Sequence, residues 1–450
     1  MQSRNLNAVG RRMCWRNEAE RLKKNLSHNK LKWKTIKDDR KDDCFLTALN
    51  DNGTLITSQA KIAETLATNF QEKVSKVREN FKEDENEAIK ILEKLCVKRD
   101  NEFEFKKVSR ERMYDIITES AASKTTSDDA ISMDLIKQIP ALMSEVMEAI
   151  FNKMIDQNKF PQCLKVARVL PLRKQGKCKL DKNLYRPISI LNPIEKILEH
   201  EMKKQLTDYF EGKNIIPDSH HGGRTGHSTL TAKAVIDKNA ADKVEDHEET
   251  VLLTMDLSQA YDLVDHKIMI KKLKFHGVGE NSCRLVQSFL ADRGYYVEVQ
   301  GAKSKMMKLM GVSVVQGSKN GGFLYTVYNI EIIHLPKVMK DAVLYEEITG
   351  EEAIECEETE HDVNQYVEDR TNTIGAPSLK VMKDYIEKYM VLLEHFYTKN
   401  RLKINSEKTK FLLMNNRKKT NKLEIKLKSG EVLKNDLAIR ILGWWMTPNF

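Results

Sequence analysis

The chain has 450 residues, of which 40% are hydrophobic and 31% charged, and its formal net charge is +9. This length allows a sizeable core and two or three domains. We find no uncharged apolar run near the roughly 18 residues of a membrane span and no signal-peptide pattern, so we expect an intracellular protein. The seven scattered cysteines lack C-x₂-C spacing, which predicts free thiols and neither a disulfide framework nor a zinc site.

Charge is unevenly distributed along the chain. Residues 151–180 carry 8 Lys or Arg against 1 acidic residue, and residues 401–435 carry 11 against 3. Residues 1–50 are also basic, with 13 against 6, whereas residues 341–370 carry 12 acidic residues against Arg370 alone. Basic segments that line one channel would suit a nucleic-acid backbone, but Lys-rich solvated helix faces explain any single segment equally well.

The predicted elements begin with a basic, helix-prone extension over residues 1–100, in which Ile62, Leu66 and Phe70 form an apolar stripe after a candidate N-cap at Ser58. From residue 109 the pattern becomes mixed α and β. The further predicted elements are two helices within 133–158 that are interrupted at Pro140, a strand at 165–171, a helix at 265–275 capped by Asp265, a strand at 295–301, a mobile acidic insertion at 341–362, a helix at 381–396, and a closing hairpin with strands at 410–414 and 423–427.

The most informative stretch is VLLTMDLSQAYDLVDH at residues 251–266, in which an apolar β-type run ends on a carboxylate. Asp256 follows the run, and Tyr261 lies five residues further on. A polymerase needs a carboxylate fixed at a strand end to hold Mg²⁺, but Asp256 taken alone fits a helix N-cap equally well. Tyr261 is either a flat side chain beneath an incoming sugar or an aromatic residue packed in the core.

Five further blocks accompany this stretch in order along the chain. They are LPLRKQGKCKLDKNLYRPISILNPIEKILEH (170–200), HHGGRTGHST (220–229), GVSVVQGSKNGGFLYTVYN (311–329), QYVED (365–369) and NRLKINSEKTKFLLMNN (400–416). Together the six blocks resemble the reverse transcriptases of non-LTR retrotransposons, from about residue 103 to the C-terminus. ILGWW at residues 441–445 resembles the hairpin that grips the primer in that family.

The resemblance implies an α+β fold of the right-hand polymerase type, with fingers at about 101–245, a palm at about 246–450, and a thumb that is missing or incomplete. Residues 1–100 would be an N-terminal helical extension, and we expect a fragment or truncated copy of a longer element. The implied activity is RNA-directed DNA polymerisation, in which two metal ions assist nucleotidyl transfer from a dNTP to a primer 3′-OH. The implied partners are an RNA template, a DNA primer and dNTPs, with two Mg²⁺ ions, or Mn²⁺ instead, as cofactors. The chain would work in the nucleus or cytoplasm as a ribonucleoprotein.

The resemblance also implies roles for individual residues. The two metal ions would be held by Asp256, Glu368, Asp369 and the carbonyl of Leu257. Lys408 would protonate the pyrophosphate leaving group, although a Lys in a basic stretch is commonly just solvated.

Two more groups of residues would bind the substrates. Those assigned to the nucleotide are Arg224, Tyr261, Gln316 and Gly317. Those assigned to the template backbone are Arg173, Lys174, Lys177 and Arg186. Arg186 precedes a proline, and a structural role that fixes the fingers explains it equally well.

Several positions depart from the family pattern. Glu368 stands where the family has an aspartate, and a displacement of about 1 Å at such a site can cost ~10²-fold in rate. Ser313 and Val315 replace a glycine and a proline, and Gly223 and His227 replace a phenylalanine and an arginine. The alternative is therefore a catalytically impaired remnant that keeps the fold and only binds nucleic acid. A basic helical interaction protein without polymerase ancestry would leave the motif series unexplained.

Overall fold

The computed structural model describes residues 46–79, 81, 84–127, 129, 131–173, 180–247, 249–309, 311–414 and 423–448. The α-helices are α1 (Gln59–Arg78), α2 (Glu85–Leu95), α3 (Arg110–Glu119), α4 (Met133–Ile136), α5 (Pro140–Gln157), α6 (Pro193–Gly212), α7 (Thr229–Asp246), α8 (His266–Phe275), α9 (Glu280–Leu290), α10 (Gly321–Tyr328), α11 (Leu335–Val338), α12 (Ala342–Thr349) and α13 (Leu379–Lys399). The strands are β1 (Leu49–Asp51), β2 (Thr54–Ile56), β3 (Val166–Arg173), β4 (Tyr185–Ile190), β5 (Glu249–Met255), β6 (Gly294–Val299), β7 (Ala302–Lys303), β8 (Met307–Lys308), β9 (Glu360–Tyr366), β10 (Asp369–Ala376), β11 (Lys410–Met414), β12 (Glu424–Lys426), β13 (Val432–Lys434), β14 (Ile439–Ile441) and β15 (Trp444–Met446). The mixture of helices and sheets confirms the predicted α+β class.

A four-stranded antiparallel sheet, here called the central sheet, has the strand order β11-β5-β10-β9. Val251, Leu252 and Leu253 of β5 are fully buried because both faces of the sheet are covered. Leu252 packs in a small cluster with Ile236 of α7, whereas Val251 and Leu253 belong to the main core. This alternation follows from the two-residue period of a strand, and it fixes the register of β5.

A two-residue turn joins β9 to β10. The last pair of the ladder is Tyr366 with Asp369, so Val367 and Glu368 form the turn. Val367 has φ 57°, the positive value that tight hairpin turns require at their first position. A β-branched residue is strained in that region, so the surrounding structure must hold the turn in place.

The second large sheet, here called the lateral sheet, has the order β4-β3-β6-β7, with β8 also paired to β6. β3 and β6 are parallel, with Val166 opposite Gly294. The strands β6, β7 and β8 therefore belong to the same sheet as β3 and β4. The boundary predicted near residue 246, between fingers and palm, does not separate the two sheets. The predicted stripe on α1, including Ile62 and Phe70, packs against this sheet.

Most predicted elements are confirmed, because local signals specify them. The break at Pro140, the strand β3 and the helix α13 all occur, and the Asp265 side chain caps α8 by accepting from the Lys267 and Ile268 amides at 2.9 and 3.2 Å. The acidic segment 341–362, which the sequence predicts to be a mobile insertion, contains regular secondary structure. That segment contains α12 and the start of β9, and Tyr345 is buried in the main core.

The prediction of a closing hairpin was wrong, because its two strands do not pair with each other. β11 joins the central sheet beside β5, with Phe411 opposite Leu253, and β12 pairs with β13. Local sequence marks both segments as strands, but only long-range packing decides their partners. Among the described helices, none has both the length and the apolarity that a membrane crossing requires. The cysteines within the described ranges, Cys96, Cys163, Cys283 and Cys356, are free thiols.

Candidate active site

Three carboxylates converge at one end of the central sheet. The β5–β10 register sets Met255 opposite Arg370, and one further step along the same register brings Asp256 opposite Asp369. Glu368 is the second residue of the turn that leads into β10. Asp256 follows a strand and precedes a turn, which excludes the helix N-cap interpretation. The register of two strands thus brings together residues that are far apart in sequence.

The electrostatics of this end of the sheet are strongly negative. Burial raises the pKa of Glu368, and the charges of Asp369 and Asp256 raise it further, while Arg186 opposes the shift. Burial and the charge of Asp256 likewise raise the pKa of Asp369, and Lys408 opposes this. Clustered carboxylates that disfavour their own ionisation create a site that a cation would stabilise.

Lys408 places one positive charge beside these carboxylates. Its Nζ lies 2.5 Å from Oδ2 of Asp256. The backbone around it is held against the segment after β5, because the Asn405 amide donates to the Asp256 carbonyl and the Ser258 amide donates to the Lys403 carbonyl, each at 2.9 Å. The structure therefore brings the predicted general acid to the predicted metal ligand.

The donor set fits a hard divalent cation. Carboxylate and carbonyl oxygens are the ligands that Mg²⁺ prefers, and no backbone amide among the described residues donates to the Leu257 carbonyl. Within the part of the chain that the structure describes, no group of three or more His, Cys, Asp or Glu side chains is arranged so that it could hold a metal ion. The Lys408 ammonium is instead the cation in contact with Asp256.

Tyr261 packs in the core, which is one of the two roles that the sequence left open, and its contact with an incoming sugar stays a prediction. Its ring stacks on Tyr325, with centroids 5.2 Å apart and planes at 16°, and a Cβ built on Gly321 would lie 3.6 Å from the ring. Burial raises the pKa of the Tyr261 hydroxyl, and the charges of Glu368 and Asp369 and a hydrogen bond to Glu368 raise it further. The ring thus packs in the protein while the hydroxyl faces the carboxylates.

The turn before α10 lies against β4. The Gln316 carbonyl accepts from the Ser189 amide at 3.1 Å, and a Cβ on Gly317 would lie 2.5 Å from the Ser189 carbonyl oxygen. Gly317 also has φ 121°, so only glycine fits there. Ser313 has φ 88°, which explains why the family has glycine at that position and shows where this chain carries backbone strain.

Two buried glutamates lie against the turn before α10, and one of them holds it by hydrogen bonds. The sequence did not predict this pair. Glu199 of α6 accepts from the Ser318 hydroxyl at 2.9 Å and from the Lys319 amide at 2.5 Å. Its helical neighbour Glu195 pairs with Arg293, and all three charged side chains are almost completely buried. The available signal was the i, i+4 spacing of two acidic residues among apolar neighbours.

The two carboxyl groups are placed to share one proton. One oxygen of Glu195 and one of Glu199 are buried without a hydrogen-bond partner, and a proton held between the two groups would satisfy both. Burial raises the pKa of both groups, the repulsion between them adds to this at Glu195, and Arg293 opposes it. One proton and Arg293 together neutralise the pair, which is what a buried cluster requires.

The segment 220–222 lies beside the turn that carries Glu368. The His221 amide donates to the Gln365 carbonyl at 2.8 Å. A Cβ on Gly222 would lie 2.3 Å from Cγ2 of Val367, so this glycine permits the close approach of the two segments. The Gly-rich block therefore braces the carboxylate-bearing turn.

Arg224 is engaged within the protein. Its guanidinium forms a bidentate pair with Glu211, at 2.7 and 2.6 Å, and donates to the carbonyls of Pro217 and His220 at 2.7 and 3.0 Å. The structure thus gives Arg224 a structural role. Its predicted contact with a triphosphate stays a prediction, and it would require these bonds to break.

The residues assigned to the template lie around the lateral sheet. Arg186 on β4 is exposed, and its positive charge opposes the rise in the pKa of Glu368. Arg173 ends β3 opposite Tyr185 and already has an intramolecular contact. The predictions for Lys174 and Lys177 lie outside the described residues.

The β14–β15 hairpin carries the ILGWW block. Leu442 and Gly443 form its turn, both with positive φ, and Trp445 is 69% exposed. The predicted hairpin is therefore confirmed as a structural element. An exposed indole suits contact with a nucleic acid, but its role stays a prediction.

Residues 172–446 match the family model described as reverse transcriptase (RNA-dependent DNA polymerase). The match covers more than half of the chain and contains the carboxylates of the central sheet. The chain belongs to the reverse transcriptase family, and this confirms the resemblance that the six blocks predicted.

The relatives among characterised sequences come from non-LTR elements. The chain is 28% identical over 233 residues to a probable RNA-directed DNA polymerase from transposon BS of Drosophila melanogaster, covering 50% of this chain and 25% of that protein. It is 25% identical over 337 residues to the RNA-directed DNA polymerase from mobile element jockey of the same species, covering 75% of this chain and 35% of that protein. A third relative, from transposon X-element, is 26% identical over 215 residues, 48% of this chain and 24% of its own length. The chain thus spans about a quarter to a third of the length of these relatives.

Proposed function

We propose that this chain catalyses RNA-templated DNA synthesis, in which a primer 3′-OH attacks the α-phosphate of a dNTP and pyrophosphate leaves. The central sheet would form the palm, and the lateral sheet with its neighbouring helices would form the fingers. The observation that carries this proposal is the β5–β10 register, which sets Asp256 opposite Asp369 beside the turn with Glu368. A membership in the reverse transcriptase family supports the same reaction.

The carboxylates would hold two Mg²⁺ ions, with Mn²⁺ as an alternative. Asp256, Glu368, Asp369 and the Leu257 carbonyl are the candidate ligands, and the raised pKa values of Glu368 and Asp369 support a demand for positive charge at this place. When bound, the ions would neutralise the phosphate charge that develops in the transition state.

The remaining side chains would bind the nucleotide and move a proton. Tyr261 presents its hydroxyl beside the carboxylates, where it would exclude a ribose 2′-OH by contact. The turn with Gln316 and Gly317 would contact the nucleotide base and sugar. Arg186, exposed and with a positive charge that opposes the rise in the pKa of Glu368, would contact phosphate oxygens. Lys408 would release Asp256 and protonate the leaving pyrophosphate.

A second candidate function is nucleic-acid binding without catalysis. The observation that favours it is Glu368 itself, whose side chain is one methylene longer than aspartate and whose charge raises the pKa of the neighbouring Tyr261 hydroxyl. A carboxylate held away from its family position would keep the charge of the site while misplacing a metal ligand. Binding would then depend on the basic segments alone.

Primer extension separates the two candidates. The purified chain is incubated with an RNA template, an annealed DNA primer, dNTPs and Mg²⁺, and we expect extension that Asp256→Asn reduces by at least ~10²-fold. The matched control is Asp208→Asn, because Asp208 is a 59% exposed carboxylate in a surface pair with Lys204. Equal extension by the chain and by Asp256→Asn would contradict the assigned site. Salt-sensitive binding without any extension, in Mg²⁺ or Mn²⁺, would favour the second candidate.

A further inference from the structure

A cavity of about 120 Å³ lies beside the turn that carries Gln316. Its walls come from three parts of the fold: Phe70 and Val74 of α1, Val169 and Tyr295 of the lateral sheet, and Val315 of the turn. Most of these side chains are apolar. A cavity of roughly 150 Å³ with apolar walls holds a benzene molecule, so this one suits a ligand of about six heavy atoms.

One carboxyl group lines this cavity, beside apolar and uncharged polar side chains. Asp262 follows Tyr261 in sequence but belongs to the cavity wall. Arg78 and Lys308 line the same cavity, yet neither forms an ion pair with Asp262, and none of the described residues donates a hydrogen bond to its side chain. Burial raises the pKa of Asp262 to about 6, so the group is mostly ionised at neutral pH and lacks a counter-ion.

We infer that this cavity is a binding site for a compact organic ammonium ion, with the apolar body between α1 and the lateral sheet and the ammonium group on Asp262. The charge selects the class of ligand, because a cation would compensate a carboxylate that is otherwise unpaired. The apolar walls and the volume select a small hydrocarbon body. The cavity shares Gln316 with the proposed nucleotide site but would bind a ligand of a different class, and the inference therefore goes beyond the proposed function.

Binding can be tested without any polymerase activity. Ligand-observed NMR with cyclopentylammonium as the probe should give a dissociation constant in the millimolar range or tighter at pH 8. Asp262→Asn keeps the size of the side chain and should weaken binding about tenfold or more. Asp208→Asn, on an exposed carboxylate, is the matched control and should change nothing. Cyclopentanol has the same number of heavy atoms without the charge, and it should bind more weakly than the amine and equally to both variants.

The pH dependence provides an independent test. With a pKa of about 6, only about a tenth of the Asp262 carboxyl groups are ionised at pH 5, so the affinity for cyclopentylammonium should fall roughly tenfold between pH 8 and pH 5. The other charged or titratable groups that line the cavity are Arg78, Lys308 and Tyr295, and none of them titrates in this interval. Cyclopentanol binding should not change with pH.

Several outcomes would overturn the inference. One is cyclopentylammonium binding that is equally tight in Asp262→Asn, and another is tighter binding of cyclopentanol than of the amine. Absence of binding by either probe would show that there is no site. Val74→Phe, which fills the cavity from the half-buried face of α1, should abolish binding of both probes, and unchanged binding in this variant would place the probe elsewhere.

A second measurement rests on the proposed function. Gln316 and Val315 form part of the cavity wall, so an occupant should change the KM for dNTP more than kcat. If the chain has no polymerase activity, this measurement fails while the NMR test still decides the binding site. If both activity and binding are found but KM is unaffected, the coupling to the turn is wrong.

Discussion

Replacing Glu195 with glutamine should remove a pH dependence from the stability of the folded chain. Glu195, Glu199 and Arg293 form a buried cluster, in which we expect the two carboxyl groups to share a proton. In the variant, the amide nitrogen would donate to Glu199 in place of that proton, and the amide oxygen would accept from Arg293. Over pH 5.5–7.5 we expect Glu199 to stay ionised, because the new amide donor adds to the Ser318 hydroxyl, the Lys319 amide and the Arg293 charge, which all favour its ionised form.

The magnitude follows from the pKa of Glu195, which burial raises from 4.5 to about 8. Between these two values the folded state holds a proton that the unfolded state has lost, so stability falls as the pH rises. One proton corresponds to on the order of 1 kcal/mol per pH unit. Between pH 5.5 and pH 7.5 the cluster should therefore lower the free energy of unfolding by roughly 2–3 kcal/mol in the original chain and by almost nothing in Glu195→Gln.

Urea unfolding followed by circular dichroism at pH 5.5, 6.5 and 7.5 measures this difference. The control is Glu145→Gln, the same chemical change at a side chain that is 66% exposed, and it should keep the pH slope of the original chain. Parallel pH slopes for the original chain and Glu195→Gln would refute the shared proton. Loss of the folded state at every pH in Glu195→Gln would show that the amide cannot replace the carboxyl group, and that the cluster needs its proton for a different reason.

Three further predictions concern the site and its surroundings. Glu368→Asp should raise Mg²⁺-dependent primer extension, by up to ~10²-fold if a ~1 Å displacement of the ligand is the defect, and an unchanged rate would move the defect elsewhere. Ser313→Gly should raise the free energy of unfolding by about 1 kcal/mol, because glycine adopts the φ of 88° without strain. Part of the gain is lost because glycine increases the entropy of the unfolded chain, and a lower thermal midpoint would contradict the prediction. Neutralising Lys174 and Lys177 should reduce the slope of log K against log salt for primer–template binding by roughly two, and an unchanged slope would make both residues ordinary surface lysines.

The sequence by itself determined the elements whose signals are local. The apolar run before Asp256 specified β5, the cap at Asp265 specified the start of α8, and Pro140 marked a helix start. The order of the six blocks indicated the family, which the match over residues 172–446 confirmed. These features could be read from the chain because each depends on residues within one or two turns of one another, or on a motif that is contiguous in sequence.

The tertiary structure alone decided which distant segments are neighbours. β11 pairs with β5 and not with β12, and the acidic run at 341–362 contains a helix because Tyr345 reaches the main core. Long-range pairing depends on which apolar faces remain to be covered after the local elements have formed, and the sequence of one segment does not contain that information.

The same reason explains what the sequence missed around the site. Arg224 could be assigned to a phosphate from its motif, but its pairing with Glu211 depends on how the end of α6 meets the loop after it. The buried contact of Glu195 with Arg293 and the unpaired carboxyl group of Asp262 likewise arise from packing between segments. A charged residue has the same letter whether it is solvated, paired or buried alone, and only its three-dimensional surroundings decide which of these holds.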